Sequence, residues 1–208
     1  LLFFGLSERK DAVPDVKTLL KSTETADQLL VQDIQSLIEQ LNSFGFGSVL
    51  IFLGIGVVLT LLVQSSSAAM GITIIVAING WINFEIAAAI VMGENIGTTV
   101  TAWLASLGAN LNAKRAARAH FLFNVAGVCW MLLLFYPFIA MVDGVMPGSI
   151  QQKDVTNQEI AVFRKVQSLE AEGIGDEKIK KAIVDLNTPL HLSLFHTLFN
   201  LCNICLLI

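Results

Sequence analysis

The sequence predicts an all-α polytopic membrane protein, and three observations carry that prediction. Only 14% of its 208 residues are charged and 54% are hydrophobic, with a mean hydropathy of +0.69; an average soluble domain is roughly 25% charged. The charges are segregated. Gln40 to Phe84 runs 45 residues without Asp, Glu, Lys or Arg, Ala119 to Val142 runs 24, and Leu186 to Ile208 runs 23. Each run exceeds the ~18 apolar residues that mark a membrane-span candidate. Together these features exclude a disordered chain, a basic nucleic-acid binder and an ordinary soluble enzyme, and the net charge of -4 adds little to that.

The elements follow in order. Leu1-Leu2-Phe3-Phe4 reads as the tail of a helix, with neither an initiator Met nor a cleavable signal before it, and the chain closes in mid-span at Ile208; it is expected to be a piece of a longer chain. Pro14 breaks the incoming helix. From Thr18 to Leu41 the apolar positions Leu19, Leu20, Leu29, Leu30, Ile34, Leu37, Ile38 and Leu41 predict an amphipathic surface helix. Residues 1–47 therefore read as a helix end followed by a polar extramembrane segment, closed by Gly45-Phe46-Gly47.

Residues 48–142 form the membrane unit. Ser48 to Val63 is apolar for 16 residues, roughly 24 Å at 1.5 Å per residue and short of a full crossing. It stops at Gln64-Ser65-Ser66-Ser67. Ala68 to Ile78 resumes, and Asn79-Gly80 is a turn signal. Phe84 to Met92 is expected to break at Gly93-Glu94-Asn95-Ile96-Gly97-Thr98-Thr99, with Val100 to Ala109 completing it. Lys114, Arg115 and Arg118 form a basic turn. Ala119 to Val142 is a plain span that Pro137 is expected to kink. Residues 143–188 are a polar insert with 6 Lys+Arg and 8 Asp+Glu. Phe163, Val166, Leu169, Ile179, Ile183 and Leu186 predict short amphipathic helices in its second half. Pro189 is expected to start the last span, residues 189–208.

The polar breaks are the candidate site. Lipid offers no hydrogen-bond partners, so non-helical backbone at membrane depth survives only where protein buries it or a cavity hydrates it. A break exposes free N–H groups at one half-helix start, which favour anions, and free C=O groups at the other end, which favour cations. Transporters place such ends at the membrane midplane. Gln64, Ser65, Ser66, Ser67, Glu94, Asn95, Thr98 and Thr99 all supply oxygen, which suits hard cations, and their hydroxyls and amides can donate to an oxyanion. No Lys or Arg lies between Ser48 and Ala113, so an anionic substrate would need accompanying cations. Taken singly, a Ser or Thr packs membrane helices, and Gly93-x-x-x-Gly97 fits a small-residue packing motif. Clustered with an intramembrane Glu, these residues read as a site. Glu94 reads as a cation ligand, a proton site or a carboxyl kept neutral by burial, and Glu85 as interfacial.

Other residues read as structural. Cys202-x-x-Cys205 has redox or zinc spacing, yet in an uncharged run it reads as packing, as does Cys129. His120 reads as interfacial. His191 and His196, five apart, do not share a helix face as paired metal ligands would. Asn124 either bonds a neighbouring helix or lines the cavity. Trp81, Trp103 and Trp130 read as interface or packing residues. Ser65–Ser67 lack the Gly-x-Ser-x-Gly elbow of a serine hydrolase, and no enzyme activity is expected.

At the two breaks the sequence resembles a known family. Gln64-Ser65-Ser66-Ser67-Ala68-Ala69-Met70 and Gly93-Glu94-Asn95-Ile96-Gly97-Thr98-Thr99-Val100-Thr101-Ala102 resemble the signature of the sodium/phosphate cotransporters, the group related to the animal type II carriers with many bacterial members. Arg115-Ala116-Ala117-Arg118-Ala119-His120-Phe121-Leu122-Phe123-Asn124 resembles that family's basic turn and following helix. The family is built from two inverted repeats, each with a Gln-Ser-Ser-Ser motif, and this chain resembles the second. The resemblance implies one half of an inverted-repeat transporter: a re-entrant helical hairpin with Gln64–Ser67 at its tip, a broken transmembrane helix, and plain spans. It implies sodium-coupled phosphate symport by alternating access, with a missing first repeat supplying the facing half. Phosphate would meet Gln64, Ser65, Ser66, Ser67, Asn95, Thr98 and Thr99. Sodium would meet Gln64, Ser66, Ser67, Glu94, Asn95 and Thr98.

The partners expected are inorganic phosphate, sodium as coupling ion and the lipid bilayer, with no organic cofactor and no nucleic acid. The alternatives are a cation-coupled carrier of another oxyanion or small organic acid, and a non-transporting scaffold or channel subunit. If Ser48–Ile78 enters and returns on one side, the Lys114–Arg118 turn is cytoplasmic by the positive-inside rule. Residues 143–188 then lie outside a multi-pass cell membrane protein. A full crossing by the hairpin would instead move residues 1–47 to the cytoplasm.

Overall fold

The computed structural model describes residues 25–151, 154–166 and 175–207, and within them every regular element is helical. The expectations at Leu1–Phe4, Pro14, Leu19, Leu20 and Leu169 fall outside the described residues. Helix α1, Thr25–Asn42, is the expected amphipathic helix: Ile38 and Leu41 pack on the core while Leu29 and Leu37 are exposed. Gly45, at φ +57, caps α2, Phe46–Val63. That helix is 18 residues long, ~27 Å, two residues longer than the apolar count suggested.

The chain then breaks where the sequence says it should. Gln64 is left-handed (φ 55, ψ 24), its N–H bonding Thr60 O at 2.8 Å, and Ser65 is extended. Helix α3, Ser66–Ile78, begins on the Ser65 hydroxyl, which accepts from Ala68 N. It ends at Asn79 and Gly80 (φ +75), as the turn signal predicts. Asn83 Oδ1 then caps α4, Phe84–Ser106, by accepting from Ile86 N at 2.9 Å.

Helix α4 is continuous from Phe84 to Ser106, which corrects the expected break at Gly93–Thr99. The residues that read as loop formers bond within their own helix. Thr98 Oγ1 donates to Glu94 O (2.8 Å), Thr99 Oγ1 to Ile96 O (2.7 Å), Thr101 Oγ1 to Thr98 O (2.7 Å) and Asn95 Nδ2 to Val91 O (3.0 Å). Short polar side chains bonding back onto the helix are compatible with helix and need no break.

The glycines serve packing instead. A Cβ at Gly93 would land on the Leu53 carbonyl, one at Gly56 on the Ile90 carbonyl, and one at Gly97 would stand 2.7 Å from Thr60 Cβ. Helices α2 and α4 thus touch backbone to backbone, as small residues permit in membranes. The register fixes direction: Leu53 meets Gly93 and Thr60 meets Gly97, so α2 and α4 run parallel, and α3, which joins them in the chain, must run back antiparallel to both. The opposite face of α2, with Leu50, Ile55, Val58 and Leu62, is exposed, an apolar surface suited to lipid.

Asn110 caps α5, Leu111–Leu133, so Lys114, Arg115 and Arg118 are helical, not a turn; the turn is residues 107–110. Helix α6, Phe135–Val145, is separate, because Pro137 has no N–H to offer Leu133 O and the helix breaks at Leu134. The plain span over Ala119–Val142 is therefore two helices, with the interruption where the proline predicts it. Helix α7, Asn157–Val166, starts on a capping box in which Thr156 N donates to Glu159 Oε2 (2.7 Å) and Glu159 N to Thr156 Oγ1 (3.2 Å).

Helix α8 runs unbroken over Asp176–Leu207, so Pro189 lies inside a helix and starts none. Ile179 and Ile183 pack with Val155 and Ile160, whereas Leu186 is 66% exposed and does not join that face. Farther on, Phe195 is fully buried against Phe84, Phe135, Phe138 and Phe199. Among the described residues α2, α5 and α8 are long and apolar enough to cross a membrane. Helix α4 is more than half buried, with α2, α3, α5 and α8 around it.

Gly93→Val is expected to cost about 1–3 kcal/mol by overpacking, read as a lower midpoint of thermal unfolding in detergent. Gly54→Ala, whose Cβ meets nothing within 4 Å, is expected to match wild type or exceed it slightly. Equal losses in both would show that the backbone contact does not hold the helices together.

Candidate functional site

The antiparallel return of α3 beside the paired α2 and α4 brings the start of α3 level with the middle of α4. A cavity of about 720 Å³ opens there, lined by Ser65, Ser66 and Ser67 from the break and α3, Glu94, Asn95, Thr98 and Thr99 from α4, His120 and Asn124 from α5, and His196 and Asn200 from α8. Seven of the eight sequence-predicted site residues share this cavity. Gln64 does not line it; it stands exposed at the break. No lining residue is Lys or Arg.

Two sides of the cavity differ chemically. On the α3 side, Ser65–Ser67 are exposed. Ala68 N and Ala69 N are capped by the Ser65 hydroxyl and carbonyl. The Ser66 and Ser67 amides are the first two of the helix, which have no acceptor within it. This end offers N–H and O–H donors and the positive end of a helix dipole. On the α4 side, Glu94 is only 3% exposed and one of its oxygens accepts from Thr73 Oγ1 on α3 at 2.7 Å. Asn95 Oδ1 and the Thr98 and Thr99 hydroxyls flank it. This side offers oxygen lone pairs around a buried carboxyl group.

The residues that sequence reading left aside fall into place. Asn124 bonds His120 O on its own helix (3.1 Å) and lines the cavity, so it does not reach a neighbouring helix for its partner. His120 is a cavity residue as well. His191 and His196 do diverge: His191 is fully buried on the Phe84 ring, 3.7 Å from Asp143 Oδ1, while His196 Nε2 lies 3.3 Å from Asn95 Oδ1. Sequence reading missed His196 and Asn200 because nothing local marks them; they reach the site from a helix 101 residues beyond Asn95. The cysteines are free thiols. No cluster of three or more His, Cys, Asp or Glu among the described residues could hold a metal.

A model of the Na+/Pi-cotransporter family matches residues 19–143. The uncharacterized protein YqeW of Bacillus subtilis (strain 168) is 37% identical over 98 residues, 47% of this chain and 32% of that protein. Sodium-dependent phosphate transport protein 2B of Homo sapiens is 42% identical over 88 residues, 40% of this chain and 12% of that protein. Sodium-dependent phosphate transport protein 2C of Rattus norvegicus is 40% identical over 95 residues, 43% and 16% respectively. The chain thus matches about a third of the bacterial relative's length and less than a fifth of the animal ones. No solved structure gives a significant match.

Thr73→Val is expected to cost about 1–3 kcal/mol, the penalty for leaving a buried polar group without its partner. Thr73→Ser, which keeps the hydroxyl, is expected to recover most of that in the same thermal unfolding measurement. A Val variant as stable as wild type would show that the Thr73–Glu94 bond does not hold α3 to α4.

Proposed function

The chain belongs to the Na+/Pi-cotransporter family, and from that premise we propose that it carries the phosphate and sodium site of a sodium-coupled phosphate symporter working by alternating access. The observation that carries the reading is the shared cavity that faces the start of α3 toward Glu94, Asn95, Thr98 and Thr99. Phosphate accepts from the Ser65, Ser66 and Ser67 hydroxyls and the free Ser66 and Ser67 amides, where the helix dipole favours an anion. Sodium takes oxygen from the Glu94 carboxylate, Asn95 and Thr98. Gln64, next to the lining serines in the chain, makes the left-handed turn that precedes them.

Electrostatics ties the two ions together. The lining has no Lys or Arg and one buried carboxyl group, so phosphate alone adds negative charge to an environment without a compensating cation. Sodium on the α4 side offsets it, and each ion then raises the affinity for the other, a reciprocal coupling that thermodynamics requires.

Helix α3 is 13 residues long, ~20 Å against a hydrocarbon core of ~30 Å. This supports α2 and α3 as a re-entrant hairpin with Gln64–Ser67 at its tip. Residues 48–142 act as the transport repeat and residues 143–188 as an outside insert, with Lys114, Arg115 and Arg118 at the cytoplasmic end of α5. The rest of the protein supplies the inverted partner repeat, and the whole sits in the cell membrane.

Proteoliposomes of the full-length protein are expected to take up labelled phosphate when an inward sodium gradient is imposed. Replacing sodium with choline is expected to abolish uptake. Ser66→Leu, which adds bulk to the cavity lining and removes a donor to the anion, is expected to lower uptake by roughly tenfold or more, the worth of a hydrogen bond to a charged group. Sodium-independent or absent uptake overturns the reading, and sulfate or a small dicarboxylate competing better than phosphate reassigns the substrate.

A further inference from the structure

Resting on the sodium site proposed above, we propose that His196 is the positioning residue of that site, holding the Asn95 amide so that its oxygen faces the cation. Helix α8 lies outside residues 19–143, the stretch matched by the family model, yet it forms one wall of the cavity and sets His196 Nε2 at 3.3 Å from Asn95 Oδ1.

The hydrogen-bond chemistry allows one arrangement. Asn95 Nδ2 donates to Val91 O at 3.0 Å, so the other end of the amide is the oxygen, which only accepts. The ring nitrogen that faces it must carry the hydrogen, which makes His196 an Nε2–H donor. Turned the other way, the amide would set Oδ1 against the Val91 carbonyl, two acceptors face to face. With both ends engaged, the amide cannot flip. One lone pair of Oδ1 is used by His196 and the second stays available to a cation. Without the histidine, Asn95 is held through Val91 alone, so its oxygen loses the contact that fixes it in the cavity and the side chain spends less of its time in the cation-facing position.

The test measures the half-saturating sodium concentration for phosphate uptake by the full-length protein in proteoliposomes. His196→Leu is expected to raise it about fivefold to tenfold, the worth of one hydrogen bond, and to change it more than it lowers the maximal rate. His196→Gln, whose side-chain amide keeps an N–H donor, is expected to restore most of the loss. Asn95→Ala is expected to shift sodium dependence the same way, and adding His196→Leu to it is expected to cost nothing further, because the two residues act through one contact. A Leu variant with wild-type sodium dependence, Leu and Gln variants equally impaired, or fully additive single variants would each overturn the assignment. Wild-type protein that takes up no phosphate with sodium overturns the transport reading itself, and this inference with it.

Discussion

At membrane depth every backbone N–H and C=O must find its partner inside the protein, and the two polar stretches of this chain meet that demand in opposite ways. Helix α4 keeps its ladder intact through Gly93–Thr99, and its hydroxyls and amide return to carbonyls of the same helix. The stretch at Gln64–Ser67 gives up one turn and repairs most of the damage locally. Gln64 N bonds Thr60 O, and the Ser65 hydroxyl and carbonyl cap Ala68 and Ala69. On the α3 side the Ser66 and Ser67 amides have no acceptor within the helix and stand at the edge of the cavity, while at the end of α2 the Thr60 carbonyl is capped by Gln64 N and the last carbonyls have no donor within that helix.

In the cavity a donor-rich helix start faces an acceptor-rich helix middle, and it is this pairing of unlike ends on which the proposed binding of an anion with its cation rests. Glu94 sits deep on the acceptor side, fixed by Thr73 from the helix that carries the donors. That hydrogen bond joins the two walls of the cavity, in addition to the packing of α3 on α4.

Much of this was legible in the sequence, and the failures have physical causes. Gly45, Gln64–Ser65 and Asn79-Gly80 were readable as punctuation because φ > 0 and helix capping leave local marks. The stretch Gly93–Thr99 was misread as a break because Gly, Asn and Thr are loop formers in water. In a buried helix the same glycines admit a neighbouring backbone, and the same hydroxyls bond inward. Pro189 was misread as a helix start, though α8 passes through it. The serines, Glu94 and Asn95 were singled out from local composition, and they line one cavity. His196 and Asn200 line it too and were not singled out, because their place depends on how α8 packs against α4, and no local pattern encodes that.

The close approach of α2 to α4 has a mechanical consequence. Where Gly56, Gly93 and Gly97 let main chain rest on main chain, no layer of side chains remains to re-rotamerise, so sliding one helix past the other would drive carbonyls into each other. The two must travel as one strut. Any rearrangement that opens the site alternately to each side has to pivot elsewhere, at the short helix that starts on Ser65 or at the side-chain-cushioned seams with α5 and α8.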